Sequence, residues 1–197
     1  MITRFYEDGK TKEELLENIE IQLTTFKDAE NIVDILCKTF DIPSFEMGVM
    51  QLITSKADLE NSVKVVDKRD NKIYGFLIFS EFEIDKGSPI RYINKNLSSF
   101  LLPLKQINGH SFVLDERLRG TKVDKQMLLY QKDYLQQYDI IWCGVENELH
   151  THSYWKRLGF IDAFSNQDAK FYIKSFDKNI MLTLFIMKML GNEKNRN

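Results

Sequence analysis

Residues 112–128 read Phe112-Val-Leu-Asp-Glu-Arg-Leu-Arg-Gly-Thr-Lys-Val-Asp-Lys-Gln-Met-Leu128. An apolar run ends in an acidic turn, a basic Arg117-x-Arg119-Gly120 segment follows, and an amphipathic helix begins. The first turn of a helix leaves N–H groups without intrahelical acceptors and carries the positive end of the helix dipole. Gly120 permits a tight turn and a close approach of ligand to backbone. With the charges of Arg117, Arg119 and Lys122, the segment suits a diphosphate group. An ordinary strand–turn–helix junction with solvated arginines has the same pattern, and this segment alone does not separate the two readings. A second notable segment, Tyr154-Trp-Lys-Arg-Leu-Gly-Phe160, lies downstream.

Outward from that turn, His110–Asp115 reads as a strand and Thr121–Tyr138 as a helix, with Val123, Met127, Tyr130, Tyr134 and Tyr138 along one side. Ile140–Glu146 is the next strand and Thr151–Leu158 the next helix. Ala169–Phe176 and Ile180–Met189 read as closing strands, although a short apolar run such as 180–190 fits a helix as well. Upstream, Thr11-x-x-Glu14 is a capping box, and Ile19, Ile21 and Leu23 alternate as in a half-buried strand. Thr25-x-x-Asp28 precedes a stripe of Ala29, Ile32, Val33, Leu36 and Phe40, which Pro43 closes. Ser44 caps a further helix through Ile53. Ser62–Asp67 and Lys72–Glu83 read as strands joined by a turn at Asp70-Asn71. Residues 84–108 read as a surface insertion with a helix over 91–101. The pattern predicts an α/β fold, a mixed central sheet flanked by helices in a single domain. Residues 1–18 form an N-terminal helical extension, 19–190 the domain, and 191–197 a disordered tail.

Composition bounds the function. The chain has 197 residues, 43% hydrophobic and 12% aromatic, enough for a core. Lys+Arg at 27 against Asp+Glu at 29 argues for neither nucleic acid nor an anionic membrane as partner. The longest apolar run, 180–190, is too short to span a bilayer as a helix. Cys37 and Cys143 are too few for a disulfide framework and read as buried small hydrophobes. The first residues carry charges where a signal peptide needs an apolar stretch, so the expectation is a cytoplasmic protein. His150-Thr-His152 with Glu146 or Glu148 invites a metal reading, but the segment has no third His and no Cys partner at zinc spacing, and a turn with a helix cap accounts for it better.

Arg117-x-x-Gly120 on a strand–turn–helix resembles the pyrophosphate-binding motif of the GNAT superfamily, the Gcn5-related N-acetyltransferases. Trp155-Lys-Arg-Leu-Gly159-Phe160 resembles that family's Tyr-x-x-x-Gly-Phe signature, and Asp28-Ala29 opens the first helix after the first strand as in its N-terminal half. The resemblance covers about residues 19–190. It implies a GNAT-type fold and an acetyl-CoA site. In it Phe112, Val113 and Leu114 would hydrogen-bond the pantetheine arm through their backbone. Arg117, Leu118, Arg119, Gly120, Thr121, Lys122 and Val123 would cradle the pyrophosphate. The strand carrying Cys143, Gly144 and Val145 would splay from 112–114 around the thioester, with Asn147 and the helix at 151–158 beside the acyl end. Lys122 and Asp124 stand where the family has glycines, and Trp155 stands where it has its tyrosine acid.

The implied function is transfer of an acetyl or short acyl group from acetyl-CoA to a small-molecule or peptide amine by direct attack in a ternary complex. An alkyl amine is neutral to only about one part in a thousand at pH 7, so a base is needed. Glu146, acting through water, is the first candidate. Asp115, Glu116 and His110 stand behind it, and Tyr154 is the candidate acid. The competing class is a non-catalytic GNAT-fold module that binds CoA, another ligand or a partner. A closing strand over 180–190 would suit pairing in a homodimer.

Overall fold

The computed structural model describes residues 4–82, 95–146, 152–167 and 169–194. In chain order the elements are α1 (Lys12–Asn18), β1 (Ile19–Leu23), α2 (Ala29–Thr39), α3 (Phe45–Thr54), β2 (Ala57–Asp67), β3 (Ile73–Glu81), α4 (Lys95–Leu101), β4 (Gln106–Leu114), α5 (Val123–Tyr130), α6 (Lys132–Leu135), β5 (Ile140–Glu146), α7 (His152–Arg157), β6 (Ile161–Ser165), β7 (Ala169–Lys174) and α8 (Lys178–Lys194). The strands form one mixed sheet in the order β1-β2-β3-β4-β5-β7-β6. The fold is α/β, with helices flanking that sheet. The chain divides into two compact units, Met1–Glu81 with His110–Lys132 and Phe82–Gly109 with Asp133–Asn197.

In the first unit, local sequence chemistry sets the element boundaries. Thr11 and Glu14 exchange side-chain-to-backbone bonds at 3.2 and 2.7 Å and start α1. Asp28 accepts from the Thr25 N–H and hydroxyl before α2, and the Ser44 hydroxyl accepts from the Met47 N–H at the start of α3. The β2–β3 hairpin turns at Asn71, whose φ of 57° suits asparagine. β1 pairs antiparallel with β2 from Ile19↔Asp67 to Leu23↔Val63, and β2 pairs antiparallel with β3. Ile32, Val33 and Leu36 of α2 face Phe76 and Ile78 of β3 and Val113 of β4 in one apolar core. Phe5, from the supposed extension, is part of the same core.

In the second unit, β4 pairs parallel with β5 from Gln106↔Ile140 to Gly109↔Cys143, and β7 lies antiparallel to both β5 and β6. Trp142 is buried, donates through Nε1 to Gln106 Oε1 at 2.5 Å and stacks on Phe82. Leu97 and Leu101 of α4 and Leu184 of α8 join it in the core.

Four readings of the sequence need correction. Residues 180–189 are helical within α8, which places Ile180, Met181, Leu184 and Met187 against the core at helical spacing. The closing hairpin is instead β6 with β7, so the proposed edge strand for a homodimer does not exist. Thr121–Tyr138 is two helices, interrupted at Gln131, which is buried and donates through Nε2 to Asn61 O at 2.9 Å. Cys37 is half-buried, with its thiol 3.4 Å from Ser44 O. The surface-insertion reading of 84–108 falls partly on residues 83–94, outside the described residues; α4 and the start of β4 are regular structure. No helix among the described residues is long and apolar enough to cross a membrane.

A Cβ at Gly75 of β3 would stand 2.7 Å from Leu114 Cδ1 and 3.0 Å from Val113 O. Gly75→Ala should therefore destabilise the chain by about 1–3 kcal/mol, read as a lower urea midpoint with an unchanged m-value.

Candidate functional site

The turn after β4 is organised by a buried carboxylate. Asp115 is fully buried and accepts four hydrogen bonds: from Phe5 N–H at 3.1 Å, Arg117 N–H at 3.1 Å, Arg117 Nε at 2.8 Å and Arg117 Nη2 at 2.9 Å. Arg117 Nη1 donates to Asp8 Oδ1 at 2.8 Å and to Lys10 O at 3.0 Å, and the guanidinium lies over the Tyr74 ring. Asp8 also accepts from the Tyr74 hydroxyl, and Lys10 Nζ bridges Asp67 and Asp70 at 2.8 and 2.7 Å. Burial pushes the Asp8 carboxyl up, but the bonds from Tyr74 and Arg117 outweigh it and hold its pKa at about 2. Burial and the Asp8 carboxylate push the Tyr74 phenol up.

This network corrects two expectations. Arg117 does not offer its charge to a ligand, because two carboxylates and a carbonyl take its side chain inward. Asp115 is not a base in waiting, because four donors occupy its oxygens. Sequence inspection also missed Phe5, Asp8 and Lys10, which reach the turn from more than a hundred residues away along the chain.

The remaining turn is open. Leu118 and Val123 are buried and pin its two ends. The Thr121 hydroxyl donates to Leu118 O at 2.6 Å and accepts from Val123 N–H at 3.3 Å. Gly120 has φ of 70°, and a Cβ built there would meet nothing within 4 Å. Among the described residues, the backbone N–H groups of Gly120, Lys122 and Asp124 have no protein acceptor. Arg119 is exposed and uses Nε on Leu114 O at 3.0 Å, and Lys122 is exposed at the N-cap of α5. Three N–H donors, the start of a helix and two exposed cations thus share one turn, an arrangement that attracts anions.

Val113 and Leu114 are buried on β4, and Phe112 is half-buried. His110, on the same strand, has a buried Nε2 with no hydrogen-bond partner among the described residues, and burial lowers its pKa. Asn147 and His150 lie outside the described residues. Glu146 is described through its backbone, which pairs with Ala169. Burial pushes the Cys143 thiol up, which suits a structural role. No cluster of three metal-ligating groups occurs among the described residues.

In the second unit, Tyr154–Phe160 is a helix stop. The Phe160 N–H donates to Trp155 O at 3.1 Å, the Gly159 N–H donates to Lys156 O at 3.0 Å, and Gly159 has φ of 85°. The Trp155 and Phe160 rings meet edge-on at 5.2 Å. This is the Schellman arrangement with its apolar contact. It buries Trp155 and leaves Tyr154 half-buried one position earlier.

No family model matches the sequence, and no curated protein matches it. Solved structures do match. An N-acetyltransferase from Staphylococcus aureus Mu50 aligns with a TM-score of 0.53 at 13% identity over 81% of this chain and 99% of that one. The PaiA N-acetyltransferase from Thermoplasma acidophilum, solved in complex with coenzyme A, aligns with a TM-score of 0.52 at 14% identity over 80% and 99%. Arabidopsis thaliana NAA60, solved with a bisubstrate analogue, aligns with a TM-score of 0.56 at 13% identity over 80% and 97%. At these identities the likeness is one of fold.

Asp8 ionises below its unfolded value, so its contribution is present above about pH 4 and is lost as pH falls toward 2. Asp8→Asn should remove on the order of 1–2 kcal/mol at pH 7. Denaturant melts at pH 7 and pH 2.5 should show the gap between wild type and variant narrowing with acid.

Proposed function

The chain has the fold of the Gcn5-related N-acetyltransferases, and from that premise we propose that it transfers an acetyl or short acyl group from acetyl-CoA to an amine. The observation that carries the reading is the turn at 118–124, where the N–H groups of Gly120, Lys122 and Asp124 have no protein acceptor among the described residues and a Cβ at Gly120 would meet nothing within 4 Å. That turn takes the pyrophosphate through backbone N–H groups, with Arg119 and Lys122 supplying charge. Lys122, in place of a family glycine, brings an ammonium to that turn. Asp124 has its carboxylate on the Lys125 N–H at 2.6 Å. Phe112, Val113 and Leu114 hold the pantetheine arm by their backbone and orient the thioester.

Glu146, through water, takes one proton from the ammonium, and the neutral amine attacks the thioester carbon directly. As the carbonyl re-forms the C–S bond breaks, Tyr154 donates its proton to the leaving sulfur, and the second proton on nitrogen returns to Tyr154, so that the products are the amide and the CoA thiol. His110, whose pKa burial lowers, stands behind Glu146 as a weaker candidate for the base. The acceptor is a small molecule or peptide with a primary amine, and the compartment is the cytoplasm.

One observation favours a second reading, a CoA-binding module without turnover. Trp155 replaces the family tyrosine, and its indole has no acid proton for a leaving thiolate. Acetyl-CoA at about a hundred times Kd should add about 2.7 kcal/mol of stability, raising Tm by several degrees, while ADP should do less. Release of free thiol with an amine panel supports transfer, whereas a Tm rise without thiol release supports the module. Gly120→Trp should raise the Kd for acetyl-CoA at least tenfold while leaving the chain folded, and unchanged affinity would refute the cradle. Glu146→Gln should lower the rate most at low pH, where neutral amine is scarcest; an unaltered pH–rate profile would remove Glu146 from the role of base.

A further inference from the structure

α2 and α3 approach closely at Gly48. A Cβ at Gly48 would stand 2.7 Å from Cys37 Sγ and 2.8 Å from Val33 Cγ1. Beside that contact lies an open cavity of about 590 Å³, within the range of small-molecule sites. Leu52 and Leu59 are its buried floor, and Phe26, Phe45, Val49 and Ile53 are among its walls. Phe26 is 71% exposed and Ile53 62%, so large apolar side chains face water around a concave space. Two charged residues line it, Glu30 and Lys56. Lys56 Nζ is paired with Glu81 at 3.4 Å, and nearby Asp28 is paired with Lys64 at 2.7 Å. The Glu30 carboxylate makes no ion pair among the described residues. The site is therefore apolar in depth, and at its edge stands Glu30, in the first turn of α2, with no ion pair among the described residues.

We propose that this cavity binds a small molecule with an apolar body and a protonated primary amine, the body against Val49, Leu52 and Leu59 and the ammonium at Glu30. Burial of the body supplies the affinity and Glu30 the preference for a cation. An anionic amphiphile would place its charge beside Glu30 and is rejected. The inference concerns binding alone and does not depend on acyl transfer.

The test uses the full chain without acetyl-CoA, so its failure is separable from failure of the acyltransfer reading. Methyl NMR spectra are recorded while hexylamine, octylamine, octan-1-ol and octanoate are titrated below their aggregation limits. Octylamine should shift the methyls of Val33, Val49, Leu52 and Ile53, with affinity rising about fourfold per added methylene. It should bind about three- to fivefold more tightly than octan-1-ol, and Glu30→Gln should remove that preference. Val49→Trp should abolish binding. Ile53→Lys, at an already exposed position, serves the same purpose should the tryptophan impair folding. Absent shifts, shifts at other methyls, equal binding of octan-1-ol, or preferred binding of octanoate would each overturn the proposal. So would a concentration-dependent dimer that protects these methyls, because it would give the cavity to a second copy.

Discussion

The side chain of Asp115 is fully buried, and distant segments of the first unit converge on it as hydrogen-bond donors. An unpaired buried carboxylate would cost several kcal/mol, and one ion pair rarely repays that alone. Here Arg117 grips both oxygens, its own N–H and that of Phe5 fill the remaining positions, and Asp8 takes the rest of the guanidinium. The consequence runs in two directions. Outward, the segment at 5–10 is fastened to the end of β4 and Phe5 becomes core. Inward, the turn at 116–118 is held against the end of β4, just ahead of the N–H groups of Gly120, Lys122 and Asp124 that have no protein acceptor among the described residues. The arginine that looks like a phosphate ligand in the sequence is therefore a brace of the turn, its side chain taken up by Asp115, Asp8 and the Lys10 carbonyl.

Local chemistry was legible in the sequence wherever it is decided within a few residues. The capping boxes at Thr11 and Thr25, the cap at Ser44, the turn at Asn71 and the strand Ile140–Glu146 all follow from short-range rules, and the structure has each of them. Ile180–Met189 was not legible, because an apolar run has no periodicity to read. Its helical state depends on which residues meet Trp142 and Leu101 in the folded core. The break at Gln131 depends on Asn61, seventy residues away in sequence. The same limit applies to the site. Gly120 announces itself locally, whereas the inward turn of Arg117 is fixed by Asp8 and Tyr74, which no spacing rule connects to it. The cavity beside Gly48 is a property of α2, α3 and the start of β2 coming together and has no signature at all.

Fold and chemistry are thus unequally marked in this chain. The strand order, the turn after β4 and the helix stop after α7 agree with one another, and each follows from named interactions. The chemistry that the GNAT resemblance implies would depend on fewer groups. Lys122 and Asp124 stand where the resembled motif has glycines, and Trp155 where it has a tyrosine. A backbone cradle tolerates such changes better than a proton relay does, because N–H donors are present whatever the side chain.

The helix stop at Gly159-Phe160 has a further implication. Its glycine supplies a left-handed residue and its phenylalanine covers the last turn against Trp155, so both serve the termination of α7. A signature built from them reports that a chain can close this part of the fold. It would persist in a descendant that had lost its substrate entirely. Motifs of this kind trace ancestry through architecture, and the record of chemistry lies in the few side chains that architecture does not require.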